Sequence, residues 1–449
     1  ASVHREFVHN SGMLSAEDNE LITRTGPGTP MGKLFREYWL PFALSKEVTS
    51  DGDPVRIMLL NEKLIAFRDS NGKVGLIQNH CPHRGASLFF GRNEEAGIRC
   101  VYHGWKFDVT GQCVDMPNEP AESNFKSKVR ATAYPCVERG GIIWTYMGPR
   151  SVPPELPNLE PNVVAGAENT VWVTQQESNW LQVLEGDIDT IHVNFLHGGA
   201  RPNRADRSAQ FIACDMPAGA MYGAYRPAET PGETYWRIAH WLFPNMTMPP
   251  PGRLGVRVAV GIRVPMDDYH TLSFSLQPQP GQGEIGVQSA VQARQTNGFG
   301  QNGIGNPVLP STTDWFGRFR TAARGDNDFL IDREVQRRKE GGAGYTGIQG
   351  IAVQDAAMTW GMGPIYDRTN ERLGTSDTMV IRVRRRLIRA AKALAEHGIT
   401  PPGVDDPGGY AVRSGWVNLP DGLDWLAGTV DLRRAFVDHP ELADTPQSA

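Results

Sequence analysis

Between residues 55 and 78 the apolar positions come in short bursts: VRIMLL (55–60), KLIAF (63–67) and KVGLIQ (73–78). Asn61-Glu62 and the stretch DSNG (69–72) separate them. Runs this short, alternating or continuous and divided by turn residues, predict strands joined by tight hairpins. GIIWTYMG (141–148) predicts another strand. Upstream, SAEDNELITRTGPGTPMGKLFREYW (15–39) predicts a capped helix, a Gly/Pro turn and a second helix. The proline-rich stretch PRSVPPELPNLEPN (149–162) predicts an extended boundary. Beyond it MYGAYRP (221–227), ETYWRIAHWLF (233–243), RLGVRVAVGIRVPM (253–266) and YHTLSFSLQ (269–277) predict a sizeable antiparallel sheet. SDTMVIRVRRRLIRAAKALAEHG (376–398) predicts a long amphipathic helix with a Ser/Asp start, a Gly stop and a solvated basic face. Residues 279–311, rich in Gly, Gln and Asn, predict a long loop that is functional or mobile.

This pattern divides the chain into a helical segment (1–35), a small all-β domain (36–155) and a larger domain (156–449). The fold class is α+β, and the large antiparallel sheet of the second domain is expected to be flanked by helices in a helix-grip arrangement. At 449 residues, two domains with their own cores are expected.

Composition narrows the classes. Apolar residues at 40% and charged residues at 21% are ordinary for a soluble globular chain. A net charge of −5 argues against nucleic acid as a partner, and no apolar run is long enough to span a membrane. The N-terminal stretch lacks the apolar core of a secretion signal, and five cysteines make no disulfide framework, so a reduced, cytoplasmic protein is expected.

Candidate chemistry sits first in NHCPHRGASLFFGRNEEAGIRCVYHGW (79–105), which holds Cys81, His83, Cys100 and His103. A zinc site usually pairs Cys with Cys and His with His, whereas each loop here supplies one of each. That mixture meets the needs of a Rieske [2Fe–2S] cluster, with two Cys on one iron and two His on the other. Pro82 stiffens the first loop, and Gly85 and Gly104 permit tight turns just past the ligands.

The second stretch is NWLQVLEGDIDTIHVNFLHGG (179–199), with Asp189, His192 and His197. Asp189 and His192 share a helical face, but residues five apart lie about 140° round an α-helix. A bulge or helix end is therefore expected between the histidines. Two His and one carboxylate make the facial triad of non-haem Fe(II) oxygenases. Asp189 could be that carboxylate, or could orient His192 from behind; in the second case Asp355, Asp367, Glu371 or Asp377 supplies the ligand.

Together with TRTGPGTPMGKLFREYWLP and VQDAAMTWGMGPIYDRTNERLGTSD, these stretches resemble the oxygenase (α) component of Rieske non-haem iron aromatic-ring hydroxylating oxygenases of the phthalate dioxygenase type. The resemblance extends from residue 23 to residue 377. It implies that the carboxylate of Gln354-Asp355 is the iron ligand and that Asp189 bridges the cluster of one subunit to the iron of the next. It also implies a homotrimer or stacked trimers, and electrons from an NAD(P)H-dependent flavin and iron–sulfur reductase. O₂ would then be used on an aromatic carboxylate, by ring dihydroxylation of a phthalate-like acid or by O-demethylation or diaryl-ether cleavage. An electron carrier without catalytic iron is the reading from another class; the second histidine stretch argues against it.

An aromatic carboxylate calls for the planar fork of arginine. Arg226 and Arg263, near predicted strand ends, are the candidates, with Arg201, Arg204 and Arg207 behind them. Trp360 stands where relatives often carry a small residue, which bears on pocket shape. Cys113, Cys136 and Cys214 read as small buried hydrophobes, and His240 and His270 as hydrogen-bonded strand residues. His4, His9, His397 and His439 lie near the chain ends, and the sequence assigns them no role.

Overall fold

The computed structural model describes residues 13–120, 122–164, 171–197, 210–256, 258–277, 306–338, 345–437 and 439. Most of the 279–311 loop and Arg201, Arg204, Arg207, His4 and His9 lie outside the described residues.

The first helices are Ala16–Thr23 and Pro30–Arg36. Ser15 Oγ accepts from the Asp18 amide at 3.0 Å, and Thr29 Oγ1 accepts from the Gly32 amide at 3.0 Å. Each cap satisfies a donor that has no partner within its helix. Both helices pack on the helix Thr378–His397, which ends at Gly398 in left-handed backbone (φ +66°). Val380, Val383, Leu387 and Ala391 form its buried stripe. The expectation that its basic face is merely solvated needs correction. Arg384 is buried against Glu185 and Glu371, and Arg386 against the carbonyls of Met216 and Gly219.

Three antiparallel sheets follow. β1 (Trp39–Leu44) pairs with β11 (Ile142–Tyr146), which pairs with β10 (Cys136–Arg139). β2 (Val55–Leu59), β3 (Glu62–Arg68), β4 (Val74–Gln78) and β9 (Ala133–Tyr134) form the second. β5 (Arg92–Glu94), β6 (Gly97–Arg99), β7 (Lys106–Phe107) and β8 (Cys113–Asp115) form the third.

Among the described residues, the C-terminal part is built on an eight-stranded antiparallel sheet. Its order is β12 (Val171–Gln176), β18 (Thr271–Leu276), β17 (Val260–Pro265), β16 (Met246–Met248), β15 (Glu233–Leu242), β14 (Gly219–Pro227) and β13 (Gln210–Met216). β19 (Gly415–Pro420) pairs with the first part of β15. The strand expected over 253–266 begins only at Val260, because Gly255 takes φ +88° within a turn. Gly415 allows β19 to approach closely, since a Cβ there would meet Leu254 Cα at 2.4 Å.

Side chains alternate across this sheet. Tyr222, Ala224, Ala239 and Trp241 enter the main core, whereas Met221, Trp236 and Ile238 join Val417, Leu419 and Trp425 in a smaller one. The main core does not stop at the proline-rich stretch. Phe42, Leu59, Leu64 and Trp144 belong to the same buried cluster as Trp180, Leu184, Trp241 and Phe274. The helix Trp180–Ile188 lies across β16 and β17 and packs on the helix Ile351–Gly361. Among the described residues no helix is long and apolar enough to cross a membrane.

Candidate metal centres

β4 and β6 each release the chain into a loop of the same shape. The Cys81 amide donates to Ala86 O at 2.8 Å and the Gly85 amide to Cys81 O at 2.9 Å. In the second loop the Cys100 amide donates to Trp105 O at 2.8 Å and the Gly104 amide to Cys100 O at 2.9 Å. Gly85 and Gly104 hold φ of +76° and +81°, backbone that glycine reaches without penalty. The repeated geometry sets ligand beside ligand. The His83 and His103 rings lie 4.4 Å apart, and Cys81 and Cys100 are both buried.

Burial, with the neighbouring Cys100 adding to it, pushes Cys81 up to about 11. Holding Cys81 as a thiolate here therefore needs cationic charge beside it. His83 Nδ1 is buried with no hydrogen-bond partner, while Trp105 stacks on the same ring at 4.3 Å. A buried imidazole nitrogen left bare is costly unless it ligates a metal. No three of these four ligand atoms gather within 4.8 Å of one another. One tetrahedral zinc would draw all four that close, whereas a two-iron cluster keeps the Cys pair and the His pair apart.

The second centre forms where the helix Trp180–Ile188 ends. Asp189 is its C-cap, in extended backbone, and Asp189 Oδ1 accepts from the Ile191 amide at 2.8 Å. The chain then makes one π-helical turn, Val193–His197. Its i→i+5 bonding brings residues five apart to nearly the same side, and this is the irregularity the His192/His197 spacing requires. His192 Nε2 and His197 Nε2 lie 3.1 Å apart; Asp355 Oδ1 is 3.1 Å from the His197 nitrogen and 3.5 Å from the His192 nitrogen. Ligands about 2.1 Å from a metal and at right angles would lie roughly 3 Å apart. Among the described residues these three are the set arranged for one ion.

The charges agree. Burial pulls the His192 imidazolium down, but Asp189, Asp355 and Asp187 outweigh it and hold its pKa above the ordinary value. Asp189, 3.6 Å from His192 Nδ1, is pushed up by burial and pulled down further by His192 and by the Ile191 and His192 amides. The other candidate carboxylates are engaged elsewhere. Asp367 takes the Thr369 amide and hydroxyl, Glu371 pairs with Arg384, and Asp377 takes the Gly374 amide.

The helix that leads into the two histidines and the helix that bears Asp355 are locked together. Gln182 donates to the carbonyls of Thr359 and Gly363, both at 2.9 Å, and accepts from the Tyr366 amide at 2.9 Å. One turn before Asp189, Glu185 accepts from Arg368 Nη2 at 2.9 Å and Arg384 Nε at 2.6 Å.

Residues 38–135 match the family model described as Rieske [2Fe-2S] domain, and residues 216–425 the one described as LigXa C-terminal domain like. The oxygenase subunit of 3-chlorobenzoate-3,4-dioxygenase from Comamonas testosteroni is 42% identical over 92% of this chain and 97% of its own. The chain is an α subunit of the Rieske non-haem iron oxygenases, phthalate dioxygenase type. The phthalate 4,5-dioxygenase oxygenase subunit of Pseudomonas putida is 37% identical over 85% of this chain and 87% of its own. The 5,5'-dehydrodivanillate O-demethylase oxygenase subunit of Sphingobium sp. is 32% identical over 84% and 80%. The terminal oxygenase of carbazole 1,9a-dioxygenase from Novosphingobium sp. KA1 shares the fold, with TM-score 0.52 and 20% identity over 84% of this chain and 99% of that one.

Rieske oxygenases of this kind carry a [2Fe–2S] cluster and a mononuclear iron, and the residues present fit both. The bare His83 nitrogen and the two buried cysteines suit the cluster, and the His192/His197/Asp355 triangle suits one iron. For a Rieske oxygenase, the expected substrate arginines fare differently. Arg263 Nε is bonded to Asp187 at 2.6 Å, which neutralises it. Asp187 also accepts from Thr247 Oγ1 at 2.7 Å, so Arg263 belongs to a built pair inside the fold, which argues against it as the partner of a substrate carboxylate. Arg226 lies 5.0 Å over the Tyr235 ring, half-buried, toward the outer end of β14. The sequence reading missed Arg237, which lies on the same sheet face and donates from Nε to Thr190 Oγ1 at 3.1 Å, next to Asp189. A signal was present: a charge in YWRIAHW, where alternation puts it on the same side as buried Ala239 and Trp241.

Proposed function

We propose that this α subunit takes electrons from an NAD(P)H-dependent flavin and iron–sulfur reductase and hydroxylates an aromatic carboxylate with O₂, by ring dihydroxylation of a phthalate-like acid. The observation that carries the reading is the triangle of His192 Nε2, His197 Nε2 and Asp355 Oδ1, with edges of 3.1 to 3.5 Å. Two imidazoles and one carboxylate leave coordination positions open, unlike a closed structural site. The relatives named for 3-chlorobenzoate and phthalate dioxygenases support an aromatic acid as substrate.

In this reading Cys81, His83, Cys100 and His103 would hold the cluster, and His192, His197 and Asp355 the iron. Bound, these groups would supply single electrons and O₂ activation. The protein's own residues do the rest. Asp189, 3.6 Å from His192 Nδ1, faces that imidazole and bridges toward the cluster of a neighbouring subunit in a trimer or stacked trimers. Arg237 presents its guanidinium beside Thr190, where a substrate carboxylate can meet it, and Arg226 extends the same basic track outward. Residues 36–155 act as the electron-receiving domain and 156–449 as the catalytic one, with the two helices of the 1–35 segment serving it; the setting is cytoplasmic.

A second reading, O-demethylation of a methoxylated aromatic acid, is favoured by the O-demethylase relative at 32% identity. One experiment separates all of these. The purified protein is assayed for iron, reduced, and exposed to O₂ with benzoates, phthalates and methoxybenzoates. Three irons per chain and a product gaining two oxygens and two hydrogens support dihydroxylation. Loss of a CH₂ unit supports demethylation. Two irons and no product would leave an electron carrier and end the proposal.

A further inference from the structure

We infer that Gln354 is a positioning residue: its side-chain oxygen fixes the His197 imidazole in the Nδ1–H tautomer, so that the Nε2 lone pair is presented to the metal. The inference rests on the reading of His197 as an iron ligand given above.

The argument begins at the far end of the amide. Gln354 Nε2 lies 2.9 Å from Ile348 O and 3.1 Å from Thr346 Oγ1. A backbone carbonyl can only accept, so the NH₂ end of Gln354 must face Ile348. The threonine oxygen agrees, since Thr346 Oγ1 can also turn its own hydrogen toward Ile348 O, 3.3 Å away. With the NH₂ end fixed, Oε1 is the atom 2.7 Å from His197 Nδ1. Oε1 can only accept, so Nδ1 carries the hydrogen. A neutral imidazole has one N–H, and Nε2 is left with its lone pair aimed at Asp355 and His192. Gln354 and the His197 side chain are 3% and 8% exposed, so water is poorly placed to substitute for the bond.

The device is local. Gln354 and Asp355 are adjacent on the helix Ile351–Gly361, about 100° apart around its axis. One helical step therefore supplies both a ligand and the acceptor that orients another. The two histidines are also held unequally, because His192 faces the Asp189 carboxylate and His197 a neutral amide. A carboxylate polarises an imidazole more than an amide does, so His197 is the weaker electron donor of the pair.

The test uses the full chain with its cluster in place and measures ferrous-ion affinity at the mononuclear position. Gln354→Leu keeps the volume and removes the acceptor. Gln354→Glu restores an acceptor toward Nδ1 but abandons the amide N–H contacts to Ile348 and Thr346. Ferrous affinity is expected to fall about 10–100-fold in Gln354→Leu and to stay within about threefold of the parent in Gln354→Glu. The visible and EPR spectra of the Rieske cluster should be unchanged in both. The EPR spectrum of the ferrous–nitric oxide adduct should shift in the Leu variant and return in the Glu variant. Undiminished affinity in Gln354→Leu overturns the inference. Equal loss in both variants also overturns it, because the amide would then act only by anchoring residues 346–348. If the parent itself binds no ferrous ion beyond the cluster's two irons, the functional reading fails instead.

Discussion

Replacing Glu185 by Gln is the most direct probe of what holds the catalytic helix in place. Glu185, Glu371, Arg368 and Arg384 form a buried group with no net charge, in which Arg368 is fully buried and the Arg384 side chain is 3% exposed. Glu185→Gln leaves one positive charge uncompensated. Arg368 would retain only Asn19 Oδ1 and Tyr366 O, both at 3.3 Å. Removing one partner of a buried pair costs about 3–5 kcal/mol. The Gln oxygen can still accept one bond, so a loss of about 3 kcal/mol is expected, a large share of a typical total of about 5–15 kcal/mol. Guanidinium titration followed by tryptophan fluorescence reads the loss. Adding Arg368→Met should recover at least about half of it, since an uncharged pair tolerates burial. The Glu185 carbonyl accepts the Asp189 amide at 3.2 Å, so the single variant should also retain ferrous iron less well. Burial raises the Glu185 carboxyl, but Arg368 and Arg384 outweigh it and hold it below the ordinary range. Its stabilisation is thus fully present above about pH 4.3 and is lost as pH falls through the lower folded value. A loss under about 1 kcal/mol, or no recovery in the double variant, would refute the reasoning.

Three further outcomes are expected. Asp189→Ala, assayed at saturating ferrous ion, should keep both metal centres but slow reoxidation of the reduced cluster by O₂ and substrate at least about tenfold; an unchanged rate removes Asp189 from the electron path. Arg237→Met should raise KM for the aromatic acid by about 10–100-fold with a smaller change in kcat, as expected when a charge-assisted hydrogen bond worth about 1.5–3 kcal/mol is lost; an unaltered KM assigns the carboxylate to another group. His240, bonded to Ser414 Oγ at 2.8 Å, is pulled down to about 3 by burial and, secondarily, Arg433. The unfolded chain therefore takes up that proton first, so stability is full above about pH 6.5 and falls below it by up to about 1.4 kcal/mol per pH unit; His240→Gln should flatten that slope, and a slope that stays the same contradicts the assignment.

The candidate metal positions were legible because iron chemistry demands scarce residue types at fixed intervals, and Cys81, His83, Cys100 and His103 meet that demand within one short span. The five-residue interval from His192 to His197 even announced its own irregularity, and the structure resolves it as a π turn. Partnerships across long sequence separations were not readable. Arg263 looked free until folding brought Asp187 beside it, and Arg384 looked solvated until Glu185 and Glu371 closed around it. β19 escaped notice because WVNLP is short and proline-bounded, and its strand identity comes from pairing with β15. Among the four carboxylates left open by spacing, the family resemblance singled out Asp355, and the fold accords with it, setting Asp355 beside both histidines and engaging the others in turns and ion pairs.

That the buried cluster runs unbroken from Phe42 and Trp144 to Trp241 and Phe274 has a practical corollary for anyone dissecting this enzyme. A fragment cut at the proline-rich stretch would bare a broad greasy flank on either piece, inviting clumping rather than autonomous folding. Chimeras that swap the part before the proline-rich stretch between relatives should therefore carry Phe42, Leu59, Leu64 and Trp144 over together with whatever they touch, or be rebuilt along that seam.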